Sequence, residues 1–312
     1  DLALVFNDAG PATFMPPGGT ARLLLNDGSG FFTDASAQLG AIPKIGPQNL
    51  KLVDIDGDLD LDIIEDGKSP LTPLYLNDGT AHFTLDTTTL PSPSGQAYET
   101  EWADMDGDGD LDGMFMNMIA PYQDTAVMGL LAETGTLSFQ TWPGFMSGAN
   151  DQDENDFAFL DVDDDGDLDV VVAVLGWPWS PGPEQFEKCW INSGTFGPGF
   201  LALAPNGFTG LNDASLDLGV GDFDGDGRYD VVSGQGEWLP FERRYFHNTG
   251  PTDTTPPHIR RVSEQPATVP LGDLAAGLVR RAWIEDAVVD DGRSYVSATL
   301  GWDVSKDGES VT

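Results

Sequence analysis

The side chains in this sequence best placed to do chemistry are aspartates repeated at two-residue spacing. The clearest stretch is Asp104-Met105-Asp106-Gly107-Asp108-Gly109-Asp110-Leu111-Asp112, with acids at its first, third, fifth and ninth places. Carboxylates about 5 Å apart repel by roughly 3 kcal/mol per pair at an effective dielectric of about 20, so such a loop needs a cation to stay compact. Hard oxygen ligands on a flexible loop suit Ca²⁺ better than Zn²⁺ or Mg²⁺. The stretch is predicted to be a calcium loop.

Three further stretches, residues 54–62, 161–169 and 222–230, follow the same pattern. The first aspartates of the four stretches are separated by 50, 57 and 61 residues. A single copy could be an acidic surface turn, but four copies at near-regular spacing favour a repeat architecture. In such an architecture each unit buries its faces against its neighbours.

The composition is strongly acidic, with 52 acidic and 14 basic side chains and a formal charge of −38. Twenty of the acids lie inside the four stretches, and four bound Ca²⁺ ions would still leave a charge of about −30. This charge excludes nucleic-acid binding by phosphate neutralisation. Cys189 is the only cysteine, so no internal disulfide is expected. Weak calcium loops need the millimolar calcium found outside cells, so an extracellular or cell-surface location is expected, with no membrane span in this chain.

Short strands must hold these loops. An apolar run precedes a loop at 157–160, and a β-branched run follows one at 170–174. Apolar strands joined by Asn-Asp-Gly turns at 26–28 and 77–79 predict hairpins, and weaker turns occur at 192–194 and 248–250. The predicted unit is strand, calcium loop, strand and hairpin, in an all-β chain.

Loop and hairpin together resemble the FG-GAP or VCBS repeat, the unit of the β-propeller of integrin alpha subunits and of many bacterial surface proteins. The resemblance covers residues 1–250 as four full repeats and one partial repeat, and it implies calcium loops that join two strands at the rim of one face. About four structural Ca²⁺ ions are implied, each held by four carboxylates and by the carbonyl of the seventh residue. The implied sets are Asp54, Asp56, Asp58 and Asp62 with Asp60; Asp104, Asp106, Asp108 and Asp112 with Asp110; Asp161, Asp163, Asp165 and Asp169 with Asp167; and Asp222, Asp224, Asp226 and Asp230 with Arg228.

Two loops depart from the family pattern. Leu59 stands at the sixth place of the first loop, and Asp164 stands at the fourth place of the third, where glycine is expected. Strained or altered loops are predicted there. The EF-hand, the rival calcium motif, requires flanking helices and an acid at the twelfth place. Only Glu65 meets the second condition, and the strand-like flanks make it a coincidence.

After residue 250 the composition changes. Residues 251–257 are predicted to be a stiff Pro-rich linker, and residues 258–312 an incomplete Ig-like or fibronectin type III-like β-sandwich module. Asp1 aligns with the ninth place of another loop. This alignment favours a piece of a longer polypeptide over completion of the fold by neighbouring subunits.

Catalysis is not expected, because His82, His247 and His258 show no metal-protease spacing and nearly every clustered acid is explained by metal.

Trp177 and Trp179 form either an aromatic platform for a sugar or a packing contact with a neighbouring blade. Met114, Met116 and Met118 alternate as a core-facing strand side does.

The favoured function is a non-catalytic, calcium-stabilised adhesion or structural module at a cell surface. Its partner would be a protein, a glycan or neighbouring copies of the chain. The alternative is a carbohydrate-recognition or anchoring module of a larger secreted enzyme that acts on polysaccharides.

Overall fold

The computed structural model of the chain is built almost entirely from β-strands. It describes residues 2–4, 21–43, 47–67, 71–91, 97–117, 124–142, 145–147, 154–175, 187–194, 201–204, 208, 214–235, 243–262, 282–286, 288–290, 293–294, 304–306 and 309–311. Within these ranges the helices are a 3-10 helix at Ser36–Leu39 and a single turn, α1, at Leu131–Thr134. The predicted all-β fold class is confirmed.

The strands form mostly antiparallel sheets that follow one another along the chain. The first sheet contains β1 (Leu2–Leu4), β2 (Arg22–Asn26) and β3 (Phe32–Asp34). The next two contain β4 (Pro47–Val53), β5 (Asp62–Gly67), β6 (Leu74–Asn77) and β7 (Phe83–Asp86), then β8 (Ala97–Ala103), β9 (Asp112–Asn117), β10 (Thr125–Gly129) and β11 (Phe139–Trp142). They are followed by β12 (Met146–Ser147), β13 (Glu154–Leu160), β14 (Asp169–Val174), β15 (Lys188–Asn192) and β16 (Leu201–Leu203), and then by β17 (Ser215–Gly221), β18 (Asp230–Gln235) and β19 (Arg244–Phe246).

Four of these sheets are arranged like the blades of a propeller. We call β4–β7 blade 1, β8–β11 blade 2, β13–β16 blade 3 and β17–β19 blade 4. The first strand of each blade packs against the first strand of the next, β4 on β8, β8 on β13 and β13 on β17. The sheet of β1–β3 packs on blade 1 through Leu23, which shares a buried cluster with Ile63 and Tyr75. The predicted β-propeller is therefore confirmed as an architecture.

Apolar side chains from facing blades fill the space between them. Met114 and Met116 of blade 2 meet Phe157 and Phe159 of blade 3 in one buried cluster, so the prediction that these methionines face the core is confirmed. Met118 lies outside the described residues. Burial of each such side chain contributes about 1.5–3 kcal/mol, and this contribution holds neighbouring blades together.

The first strand of each blade carries a register irregularity at the same point. The irregularities fall between Pro47 and Asn49, Ala97 and Glu99, Glu154 and Asp156, and Ser215 and Asp217. A bulge of this kind turns the following side chain and increases local twist. The residues after the irregularities link the blades. Asn49 donates to Glu99 at 2.6 Å, and Asp156 accepts a hydrogen bond from the Leu218 amide.

The chain beyond residue 250 packs on the propeller. Its described strands are β20 (His258–Val262), β21 (Ala282–Glu285), β22 (Val288–Asp290), β23 (Arg293–Ser294), β24 (Val304–Lys306) and β25 (Glu309–Val311). β20 pairs with β21 and β24 with β25, whereas β22 joins the sheet of blade 3 at β13. The described residues of this stretch do not show the Ig-like sandwich.

Candidate metal centres

The four acidic loops occupy equivalent positions, because each joins the first strand of its blade to the second. The backbone of every loop turns at its fourth and sixth places, where φ lies between +59° and +97°. Leu59 at +71° and Asp164 at +59° share these left-handed conformations with the glycines of the other loops. The sixth place therefore does require positive φ. A side chain such as that of Leu59 costs about 1–2 kcal/mol in this region, whereas aspartate adopts it more readily, so the strain is greater at Leu59 than at Asp164.

A hydrogen bond common to all four loops holds the first residue to the sixth. The Oδ2 atom of the first aspartate accepts the N–H of the sixth residue at 3.0 Å in each loop. The four pairs are Asp54 with Leu59, Asp104 with Gly109, Asp161 with Gly166, and Asp222 with Gly227. This bond curls the backbone around the acidic side chains.

The ninth aspartate ties its loop to the hairpin of the same blade. One carboxylate oxygen accepts the N–H of the second loop residue, and the other accepts an N–H at the end of the third strand or two residues beyond it. Asp62 accepts from Ile55 at 3.1 Å and Asn77 at 2.8 Å, and Asp169 accepts from Val162 at 2.9 Å and Asn192 at 2.7 Å. Asp112 does the same with Met105 and Gly129, and Asp230 with Phe223 and Asn248.

The fifth aspartate positions the seventh residue. Asp58, Asp108, Asp165 and Asp226 each accept the N–H of the residue two places on, at 2.9–3.0 Å. Those seventh residues are Asp60, Asp110, Asp167 and Arg228, whose backbone carbonyls are the predicted calcium ligands. Carboxylate oxygens lie within 4.8 Å of one another in three predicted groups, which are Asp54, Asp56 and Asp58; Asp104, Asp106 and Asp108; and Asp161, Asp163 and Asp169.

Two buried carboxylate oxygens test whether these groups fit a cation. Oδ1 of Asp54 and Oδ1 of Asp104 are buried and have no hydrogen-bond partner, although Oδ2 of the same groups is bonded. A buried acceptor left without a partner costs about 1–3 kcal/mol. A hard cation that binds oxygen ligands would coordinate these atoms. All the candidate ligand atoms in loops 54–62 and 104–112 are oxygens. The residues present therefore fit Ca²⁺.

Without a cation these carboxylates are held in an unfavourable environment. Burial, with neighbouring carboxylates adding to it, raises the pKa of Asp62 to about 7 and the pKa of Asp169 to about 8. Burial likewise raises the pKa of Asp106 and of Asp161 to about 6. A bound cation would oppose these shifts, because an opposite charge favours the ionised form.

Loop 222–230 differs from the others. Both oxygens of Asp222 already accept backbone N–H groups, from Gly225 and Asp226 on Oδ1 and from Gly227 on Oδ2. The ring of His247 lies 3.3 Å from a carboxylate oxygen of Asp224, so this loop offers a nitrogen beside its oxygens.

The ninth aspartate of this loop has extra partners. The Tyr245 hydroxyl donates to Asp230 at 2.7 Å, and Nδ1 of His247 lies 3.2 Å from it. Burial opposes ionisation of Asp230, but these contacts and the Asn248 amide lower its pKa.

The role of the hairpin asparagines could not be read from the sequence. The side-chain amides of Asn77, Asn192 and Asn248 donate to the carbonyl of the eighth loop residue at 3.1–3.2 Å, and their Oδ1 atoms accept the N–H of the turn glycine. Asn192 also donates to the Met105 carbonyl of the preceding loop at 3.2 Å. The recurring Asn-x-Gly turns were the available signal, but they predicted only hairpins.

In blade 2, Gly129 stands at the position of these asparagines. A side chain there would fall 2.7 Å from the Leu111 carbonyl oxygen, which belongs to the backbone and cannot easily move, and this contact explains the glycine. The turn α1 follows, and it brings Glu133 within 4.8 Å of Asp108 and Asp110. Neither Glu133 nor His247 was predicted to lie at a loop.

The remaining sequence predictions are placed as follows. The side chain of Glu65 is buried on β5 and accepts a hydrogen bond from the Tyr75 hydroxyl at 2.8 Å. All four loops are flanked by strands and not by helices, so the prediction that they are not EF-hands is confirmed. Trp177 and Trp179 lie outside the described residues.

Comparison with known proteins adds no relative. No protein-family model matches the chain, and neither does any curated protein. Among the described residues, none of the helices has the length and apolar character needed to cross a membrane.

Proposed function

We propose that this chain is a calcium-stabilised β-propeller of the FG-GAP or VCBS type, without catalytic activity, that serves as an adhesion or structural module at a cell surface. The observation that supports calcium binding most directly is the pair of buried, unpartnered Oδ1 atoms of Asp54 and Asp104. Both residues stand at the first place of their loops, and the two loops carry aspartates at the same five places. About four ions are proposed, one for each loop.

The carboxylates at the first, third, fifth and ninth places would hold the ion. When bound, Ca²⁺ supplies the positive charge that the crowded acids need in order to stay ionised. The protein's own contribution is preorganisation, because backbone N–H groups already fix Oδ2 of the first aspartate and both oxygens of the ninth. Ion binding would therefore stabilise the curled backbone of each loop, which carboxylate repulsion would otherwise tend to open.

The extracellular role is supported by charge and by the class of site. A formal charge of −38 suits a surface that associates through calcium or with cationic partners rather than with nucleic acid. Weak oxygen-only loops fill at the calcium concentrations found outside cells. The partner is proposed to be a protein, a glycan or neighbouring copies of the chain.

Thermal unfolding with and without calcium tests this function. At ten times its dissociation constant each ion adds about 1.4 kcal/mol, so four ions add roughly 5–6 kcal/mol and raise the Tm of a chain of this length by about 8–9 °C. Chelator should reverse the shift, and Mg²⁺ should replace Ca²⁺ poorly. Asp104→Asn should lower the calcium stoichiometry measured by calorimetry by one. Asp27→Asn, on the exposed turn between β2 and β3, is the matched control. An unchanged Tm in excess chelator, with metal loss verified, would refute the proposal.

A further inference from the structure

The chain that leaves blade 4 runs back across all four acidic loops. We define the strap as residues 250–262 together with residues 282–286, which are joined by the pairing of β20 with β21. Along the chain it meets loop 222–230 first, then loop 161–169, loop 104–112 and finally loop 54–62. The continuation of the strap, β22, is buried at Val288 and Val289 and pairs with β13 of blade 3.

Backbone and hydroxyl groups dock the first part of the strap. At loop 222–230 the Asp253 amide donates to the Gly227 carbonyl at 3.1 Å. In the same place Nε of the Arg228 side chain donates to the Gly250 carbonyl of the strap backbone at 2.7 Å. At loop 161–169 the carboxylate of Asp164 accepts from the Thr254 amide at 2.9 Å and from the Thr254 hydroxyl at 2.8 Å.

Two consecutive arginines dock the second part. Arg260 lies 3.1 Å from Oδ2 of Asp104, and Glu285 accepts the N–H of Asp104 at 3.3 Å. The guanidinium of Arg261 fills the space that a side chain at Gly57 would need. The strap thus places two cations on an acidic face.

Asp164 occupies a loop position where glycine would fit the backbone better, and its side chain contacts the strap. The fourth place holds glycine in the other three loops, and φ +59° at Asp164 is less favourable for aspartate than for glycine. The Asp164 side chain is exposed and hydrogen-bonded to the strap. Aspartate at this place therefore stabilises the docked strap. Glycine would suit the backbone conformation of the loop better but would make no side-chain contact with the strap.

The arginine contact is compatible with a bound ion. Arg260 approaches Oδ2 of Asp104, the oxygen that also accepts the Gly109 N–H, and leaves Oδ1 without a partner. Strap and cation would therefore use different oxygens of the same carboxylate. Such sites reinforce each other when each ligand holds the loop in the shape that the other needs.

We propose that the strap is a metal-dependent latch that closes the face carrying the acidic loops. The inference rests on the proposed calcium binding. With ions bound, the loops keep the curled backbone that positions Gly227, Asp164, Asp104 and Gly57 for docking. Without ions, repulsion among the carboxylates opens the loops, and the strap is released from the face. By linkage, a released strap weakens calcium binding by the same factor.

Hydrogen exchange of the strap amides tests the latch on the full chain. In calcium, Asp164→Gly should speed exchange at residues 253–255 by about fivefold or more, the low end of typical coupling between sites. Asp164→Asn keeps an acceptor and tolerates positive φ, so it should exchange as the wild type does. Wild-type protein in chelator should match Asp164→Gly in calcium.

Two results would overturn the latch. One is full protection of residues 253–255 in Asp164→Gly. The other is full protection of the wild type in chelator after metal loss is verified. Calorimetry on the wild type separates this failure from failure of the proposed function. A chain that binds calcium but keeps its strap docked without it refutes only the latch, whereas a chain that binds no calcium refutes both.

Discussion

The backbone N–H of Leu59 donates to Oδ2 of Asp54 at 3.0 Å while Leu59 itself is held at φ +71°. Glycine makes the same bond in the other three loops. Leu59 therefore keeps the geometry of the loop at a conformational cost of about 1–2 kcal/mol. This loop is folded as the others are, and its strain lies at one residue.

Leu59→Gly should relieve that strain and tighten calcium binding at loop 54–62. The expected gain is about fivefold to thirtyfold in affinity, because the cost removed is about 1–2 kcal/mol. Calorimetric titration measures it. Leu59→Ala is the control, since it shortens the side chain but keeps the strain, and it should bind as the wild type does. Equal affinity of the Gly and wild-type proteins would show that the loop binds its ion with another backbone path.

Stability without metal should fall as pH rises. Burial raises the pKa of folded Asp62 to about 7 and of folded Asp169 to about 8, whereas an unfolded aspartate has a pKa near 3.9. Between about pH 4 and pH 8 the folded state holds more protons than the unfolded state, so the free energy of unfolding decreases with pH.

Calcium should change this dependence. Ion binding requires the ionised carboxylates and releases their protons, so calcium stabilises more as pH rises. The difference in Tm between calcium-loaded and metal-free protein should therefore widen from pH 5 to pH 8. Scanning calorimetry at several pH values measures it, and a constant difference would argue against ion contact with Asp62 and Asp169.

The sequence predicted what depends on local pattern. Aspartate spacing predicted four loops between strands, and Leu59 was recognised as a departure at a position that needs positive φ, which the structure confirms. The blade order also follows from the repeat. In contrast, Asp164 meets Thr254 across 90 residues, and Asn192 meets Met105 across 87. Aspartate spacing could not predict such contacts, because they depend on how blades and strap pack. His247 and Glu133 reach the loops of their own blades, His247 from the end of the hairpin and Glu133 from the turn α1.

Asn192→Ala should destabilise the propeller more than Asn77→Ala. The amide of Asn192 is buried and donates both to Leu168 in its own blade and to Met105 in the preceding loop. Its loss leaves buried acceptors unpaired, at about 1–3 kcal/mol. Asn77 donates to Leu61 at an exposed position and serves as the matched control. Denaturant unfolding should rank the two variants in this order, and equal effects would mean that the contact between blades contributes nothing.

Lys51 joins the first strands of two blades at a buried site. Its ammonium lies 2.6 Å from Glu99 and also contacts Glu101, and all three side chains are buried. Burial opposes the charge on Lys51, but the two carboxylates outweigh this effect and raise its pKa. Asp66 lies in the same region, and burial raises its pKa to about 7. The site therefore holds more acids than bases, and Lys51 is the cation that pairs with Glu99 and Glu101.

Lys51→Met should destabilise the fold by about 3–5 kcal/mol, because it leaves buried carboxylates without their cation. Adding Glu99→Gln and Glu101→Gln to the same chain should restore part of the loss, since neutral amides need no counter-charge. The single variant should also regain stability as pH falls, because protonation removes the uncompensated charges. Denaturant unfolding of both variants at pH 5 and pH 8 measures these effects. If the triple variant is less stable than Lys51→Met at pH 8, the carboxylates stabilise the contact between the two blades by interactions other than the ion pair, and the electrostatic explanation fails.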